Sequence, residues 1–181
     1  MTELEIQAPA KINLYLRIVG RRADGLHDIE TVFQRIDLCD ELRLIPSNRD
    51  ELVVVDSPWP IGPDEENLAL RALRLMRQEI GGDHPSLCIE LTKRIPPGAG
   101  LGGGSSDAAA VLRGLNSLWA LNLSPGKLSD LGRQLGADVP FFTSEAPCAI
   151  GRGIGDILEP VAHSVQWPCA LIYPGFPSST A

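Results

Sequence analysis

The stretch Pro96-Pro97-Gly98-Ala99-Gly100-Leu101-Gly102-Gly103-Gly104-Ser105-Ser106 constrains the fold more than any other part of the chain. Its five glycines in eleven residues permit positive φ and remove the Cβ atoms that would hold an anion away from the main chain. A strand pattern precedes it, with Leu87, Ile89 and Leu91 alternating with Cys88, Glu90 and Thr92. A helix pattern is expected to follow from Ser106, with Val111, Leu112, Leu115, Leu118 and Trp119 on one face. A flexible linker would not hold Leu101 within it or regular elements at both ends. A strand, a glycine loop and a helix N-terminus together gather backbone N–H groups and positive dipole on one spot, which suits phosphate. Ser105 and Ser106 add hydroxyls that can donate to phosphate oxygens or offer an oxygen to Mg²⁺. No Gly-Lys-Ser/Thr follows the glycines, and no acidic residue closes a second parallel strand, so neither common nucleotide fingerprint applies. Asp107 is expected in the first helical turn, serving the dipole or the cap.

The first half of the chain reads as strands over 4–8, 11–19, 29–37, 41–46 and 51–55, with Gly20 to Gly25 as a turn. The alternation at 11–19 predicts Lys11, Asn13 and Tyr15 on one face, and Ile12 and Leu14 toward the core, in step with Leu16 and Ile18. Helical spacing begins near Glu66, carries Leu68, Ala72, Leu75, Met76 and Ile80, and stops at Gly81-Gly82. Ser124-Pro125 reads as the N-cap and first turn of a third helix, and runs near 147–150 and 169–173 are strand-like. This irregular mixture of strands and helices predicts an α+β fold rather than a doubly wound sheet.

With 181 residues and a net charge of −7, the chain suits one domain with the start of another, and an anionic membrane or nucleic-acid partner is not expected. Cys39, Cys88, Cys148 and Cys169 lie far apart, without metal-ligand spacing, and read as four buried small hydrophobes. No signal peptide or membrane span is legible, which implies a cytoplasmic protein. His84 and His163 are expected at the surface, and Trp59, Trp119 and Trp167 as core or surface anchors. Taken alone, Lys11 is a solvated strand lysine as readily as a functional one. Asp138, in Gly136-Ala137-Asp138-Val139-Pro140-Phe141-Phe142, is equally a cap or turn carboxylate.

The glycine-serine run with its following Asp-Ala-Ala resembles the nucleotide loop of the GHMP kinases, the superfamily of galactokinase, homoserine kinase, mevalonate kinase and phosphomevalonate kinase. The triple glycine before Ser105 narrows the likeness to the branch acting on a cytidine-diphosphate-bearing methylerythritol in non-mevalonate isoprenoid biosynthesis. Ala8-Pro9-Ala10-Lys11-Ile12-Asn13-Leu14 is similar to that branch's N-terminal signature, and the segment around Asp138 to its catalytic-aspartate segment. The resemblance implies a ribosomal protein S5 domain 2-like fold, a mixed sheet with helices on one face, using ATP and Mg²⁺. It further implies Asp138 as general base, Lys11 as the charge beside the transferring phosphoryl, and Asn13 on the polyol. Pro96 to Ser106 would hold ATP, and Ser105 or Ser106 would be open to Mg²⁺.

Arg22-Ala23-Asp24-Gly25-Leu26-His27 resembles the turn whose aromatic residue and histidine hold the cytosine ring, which implies Leu26 and His27 as substrate contacts. Leucine there offers no π-face. Arg152 stands where the branch usually carries Glu. The expected domain covers 1–160. Residues 161–181 would begin the junction to a C-terminal domain absent from this chain, which would then turn over slowly or not at all. Two rivals stand beside this reading, another GHMP small-molecule kinase such as homoserine or mevalonate kinase, and a non-catalytic nucleotide-binding domain. Oligomeric state is left open.

Overall fold

The computed structural model describes residues 3–162 and 167–176. Its first strand, β1 (Leu4–Arg21), turns back into β2 (His27–Pro46), and the two form a long antiparallel arm. β3 (Glu51–Asp56) follows, then a 3₁₀ turn over Asp64–Glu66 and α1 (Leu68–Ile80). β4 (Leu87–Thr92) leads through the glycine run into α2 (Gly103–Leu118), followed by α3 (Pro125–Leu135) and the short α4 (Val139–Thr143). β5 (Cys148–Arg152) and β6 (Ile157–Pro160) complete a six-stranded sheet of order β3-β4-β2-β5-β6, with β1 also on β2. Among the described strands only β3–β4 is parallel, so the sheet is mixed and the α+β expectation holds.

Alternation builds the core as the sequence suggests. Leu42 and Leu44 of β2 and Leu87, Ile89 and Leu91 of β4 are buried on one face, against Leu73 and Met76 of α1 and Leu112 and Leu115 of α2. Gly114 marks where α2 crosses the sheet, since a Cβ there would stand 2.3 Å from Ile6 Cδ1 and 2.8 Å from Leu44 Cδ1. Asn67 caps α1 by accepting from Ala69 N, and Ser124 caps α3 by accepting from Lys127 N at 3.2 Å.

Several expectations change. The two N-terminal strands are one strand, as are 29–37 and 41–46, because pairing continues through irregularities. Between Pro9 and Lys11 the partner jumps from Cys39 to Arg35, and a second shift falls between Asn13 and Tyr15. Lys11 is 5% exposed, while Leu14, Tyr15, Leu16 and Ile18, on both faces of the arm, are open to solvent. α2 begins at Gly103, three residues earlier than its apolar pattern suggests, which moves Asp107 out of the first turn into the interior. The run 169–173 pairs with no strand, and Cys169 is exposed rather than buried; Cys39 and Cys88 are half-buried. His84 is half-buried, stacked 4.4 Å from the Trp119 ring, and His163 lies outside the described residues.

Candidate active site

Beyond β4 the chain winds through the glycines with φ of +67° at Gly98, +72° at Gly100 and +71° at Gly102. Gly102 occupies the N-cap of α2 in the left-handed region, and no side chain caps the helix. The first main-chain donor of the turn to find an oxygen is Ser106 N, on Gly102 O at 2.8 Å. The N–H groups of Gly103, Gly104 and Ser105 are thus the orphan donors of a helix start, facing a cleft of about 380 Å³. That cleft is lined by Pro96 to Ser105, by Lys93 and Asp107, and on its far side by Pro60, Asn67 and Leu68. Ser106, grouped with the loop on sequence grounds, does not line it; its side chain is 1% exposed and its Oγ has no hydrogen-bond partner.

The loop is fastened to β1. Lys11 N donates to Leu101 O at 2.9 Å, and a Cβ on Gly102 would stand 2.9 Å from the Phe142 ring and 3.3 Å from Lys11 Cε. Here the Lys11 side chain points inward. Its Nζ lies 3.4 Å from Asp138 Oδ2, donates to Asn13 Oδ1 at 2.8 Å, and sits 5.3 Å from the Phe33 ring centroid. Asn13 Nδ2 donates to Thr31 Oγ1 at 2.6 Å, and Thr31 Oγ1 donates to Tyr15 O at 2.7 Å, which fixes the amide's orientation.

Asp138 precedes α4 at its N-cap but accepts no capping bond, so its carboxylate remains available to Lys11. The Asp138 side chain is 32% exposed, open enough for a hydroxyl to reach. The segment before it runs beside the start of α2, where a Cβ on Gly136 would stand 3.8 Å from Ser105 Oγ. α4 is held at its other end by Arg35, which donates to Phe141 O at 3.0 Å and Phe142 O at 3.1 Å. Arg113 also donates to Phe142 O, at 2.9 Å. Burial, together with the neighbouring Arg113 charge, pushes the Arg35 guanidinium down to about 10.

Among the sequence-selected residues, the structure brings together Lys11, Asn13, Asp138 and the glycine loop. Leu26 and His27 stand apart from them at the far end of the β1–β2 arm, in a turn where Leu26 N donates to Asp24 Oδ1 at 3.0 Å. Leu26 is exposed and His27 half-buried. Arg152 pairs with Glu159 at 3.0 Å on the surface.

Asp40, Lys93 and Asp107 were not legible as a group. Lys93 Nζ bonds Asp40 Oδ2 and, at 2.8 Å, Asp107 Oδ2; all three side chains are buried. Burial pushes the Asp107 carboxyl up to about 7, against the opposing pull of Lys93 and with help from Asp40. The folded protein therefore holds a proton on Asp107 at pH values where the unfolded chain, with its carboxyl near 3.8, has released it. Its contribution to stability is largest below pH about 4 and is lost as pH rises toward 7. Asp107→Asn, which imitates the protonated carboxyl, should accordingly gain melting temperature relative to the parent between pH 5 and pH 8. An identical difference at both pH values would contradict this assignment.

Residues 67–146 match the family described as GHMP kinases N terminal domain. The chain is 46% identical over 180 residues to the 4-diphosphocytidyl-2-C-methyl-D-erythritol kinase of Desulfotalea psychrophila, which covers 99% of this chain and 60% of that protein. It is 49% identical over 162 residues to the kinase of the same name from Ralstonia nicotianae, covering 89% of this chain and 55% of that one. A solved 4-(cytidine 5'-diphospho)-2C-methyl-D-erythritol kinase superposes with a TM-score of 0.73 at 43% identity, over 88% of this chain and 55% of its own. Methanococcus jannaschii mevalonate kinase shares the fold at 14% identity, with a TM-score of 0.64 over 90% of this chain and 56% of its own. The chain spans about 60% of the length of the curated relatives it matches.

Proposed function

We propose that this chain, whose residues 67–146 match the GHMP kinases N terminal domain, is the nucleotide-binding part of a kinase for 4-diphosphocytidyl-2-C-methyl-D-erythritol. The reaction moves the γ-phosphoryl of ATP to the 2-hydroxyl of that substrate in non-mevalonate isoprenoid biosynthesis. The observation that carries this reading is the uncapped start of α2 beside the Lys11–Asp138 pair. Residues 1–160 form the nucleotide domain, and 161–181 begin the junction to a second domain.

In this scheme the N–H groups of Gly103, Gly104 and Ser105 receive the nucleotide's phosphates within the loop from Pro96 to Ser106. Asp138 accepts the proton of the 2-hydroxyl, and Lys11 stabilises negative charge on the phosphoryl oxygens in transit. Asn13, its amide fixed by Thr31, holds a polyol hydroxyl. Leu26 and His27 on the arm take the cytidine end. Mg²⁺ bound with the nucleotide would neutralise phosphate charge. Ser105 is the loop hydroxyl on the cleft wall that fits it, and no cluster of three or more His, Cys, Asp or Glu residues offers a separate metal site among the described residues. Among the described residues no helix is long and apolar enough to cross a membrane.

The test is ADP formation under single-turnover conditions with Mg·ATP and, in parallel, the cytidyl substrate, homoserine and mevalonate. ADP with the cytidyl substrate alone is the expected result. Transfer to homoserine or mevalonate instead would overturn the acceptor. Nucleotide binding with no transfer to any acceptor would make this chain a binding module.

A further inference from the structure

The loop's two stems are joined through Lys93, which bridges Asp40 and Asp107. Asp40, on β2 and fully buried, accepts at Oδ1 from Arg94 N at 2.5 Å and from Ile95 N at 2.9 Å, the residues entering the loop. Its Oδ2 accepts from Lys93 Nζ, which also reaches Asp107 Oδ2 at 2.8 Å on α2, the element leaving the loop. The stems also touch directly. A Cβ on Gly103 would stand 2.9 Å from Ile95 Cγ2 and 3.2 Å from Lys93 Nζ, so the first residue of α2 has to be small for the two to close. Lys93 N is further tied to Asp56 O of β3 at 2.8 Å.

An ion cluster this deeply buried is a poor means of gaining stability. Desolvating an ammonium and a carboxylate costs several kcal/mol each, burial already keeps a proton on Asp107 below pH about 7, and apolar side chains of similar volume often serve as well or better. What the cluster supplies instead is direction. Asp40 Oδ1 and Oδ2 and Asp107 Oδ2 each hold a donor at hydrogen-bond distance, which apolar packing would not require, while Asp107 Oδ1 has no partner among the described residues. Here the demand falls on the residues flanking the uncapped N–H groups, whose aim at the cleft depends on the spacing of the stems.

We propose that Asp40, Lys93 and Asp107 are positioning residues that clamp both stems of the glycine loop and so hold its N–H groups in a phosphate-binding arrangement. The nucleotide part of this proposal rests on the phosphate-binding reading of the loop; the clamp itself does not.

Three measurements test it: amide exchange of the ligand-free protein, calorimetric affinity for Mg·AMP-PNP, and melting temperature. In the double variant Lys93→Met/Asp107→Asn, exchange at Ile95 and Ser106 should quicken about tenfold, with α1 and α3 unchanged. Nucleotide affinity should fall about tenfold, or ~1.4 kcal/mol. Asp107→Asn alone, which still offers Lys93 an oxygen, should keep affinity within about twofold. Should the double variant not fold, Asp40→Asn replaces it: the amide oxygen keeps the stem N–H bonds and the loss of charge should weaken affinity. Unchanged loop exchange, or faster exchange spread evenly over α1 and α3, would overturn the clamp, as would lower melting temperature with unaltered affinity. If the parent binds no nucleotide while loop exchange responds as expected, the clamp stands and the phosphate reading falls.

Discussion

Asp138→Asn should reduce the rate of phosphoryl transfer by about 10²- to 10⁴-fold, the usual worth of a positioned general base. Asparagine is isosteric and keeps an oxygen for Lys11, so the change removes proton-accepting capacity and little else. The carboxylate precedes a short helix whose far end is held by Arg35 and Arg113 through carbonyls of Phe141 and Phe142, contacts that the substitution does not touch. Melting temperature and Mg·AMP-PNP affinity should therefore stay close to those of the parent. Turnover retained at the parental rate in single-turnover ADP release would remove Asp138 from the role of base.

Lys11→Met should cost roughly 10²- to 10³-fold in the same assay, about 3–4 kcal/mol of transition-state stabilisation, because a preorganised buried charge is worth far more there than in water. Methionine fills much of the aliphatic volume, and the main-chain bond from residue 11 to Leu101 O does not depend on the side chain. The partner left behind, Asp138, is partly exposed, so water can take over its solvation. Loss of fold should be small beside loss of rate. Residues acting as a unit are strongly non-additive. The double variant Lys11→Met/Asp138→Asn should then be little slower than the slower single variant, and fully multiplicative losses would show that the two act independently.

The loop was readable because glycine spacing is a local signal, the strand before it because Leu87, Ile89 and Leu91 alternate, and α3 because Ser124-Pro125 punctuates a helix start. The start of α2 was not readable: Gly103 and Gly104 are poor helix formers by propensity, yet the helix begins at Gly103, where a Cβ would stand 2.9 Å from Ile95 Cγ2. α4 and β6, with five and four residues, are too short for periodicity to register. The faces of β1 were misassigned because alternation presumes one face against the core, and from Leu14 onward both faces of the arm are open to solvent. Asp40, Lys93 and Asp107 come from two strand regions and a helix, so nothing in their spacing could announce a cluster.

The glycine at the N-cap of α2 carries a trade of stability for function. Relative to glycine, serine, aspartate or asparagine at an ordinary N-cap is worth only a few tenths of a kcal/mol. This chain forgoes that, and a side-chain oxygen there would compete for the donors meant for phosphate. On the proposed function, a bound phosphate would complete the helix start, and the nucleotide would then contribute to the stability of the fold. Heat resistance should then track nucleotide concentration, rising by RT ln(1 + [L]/Kd) as the ligand finishes the helix.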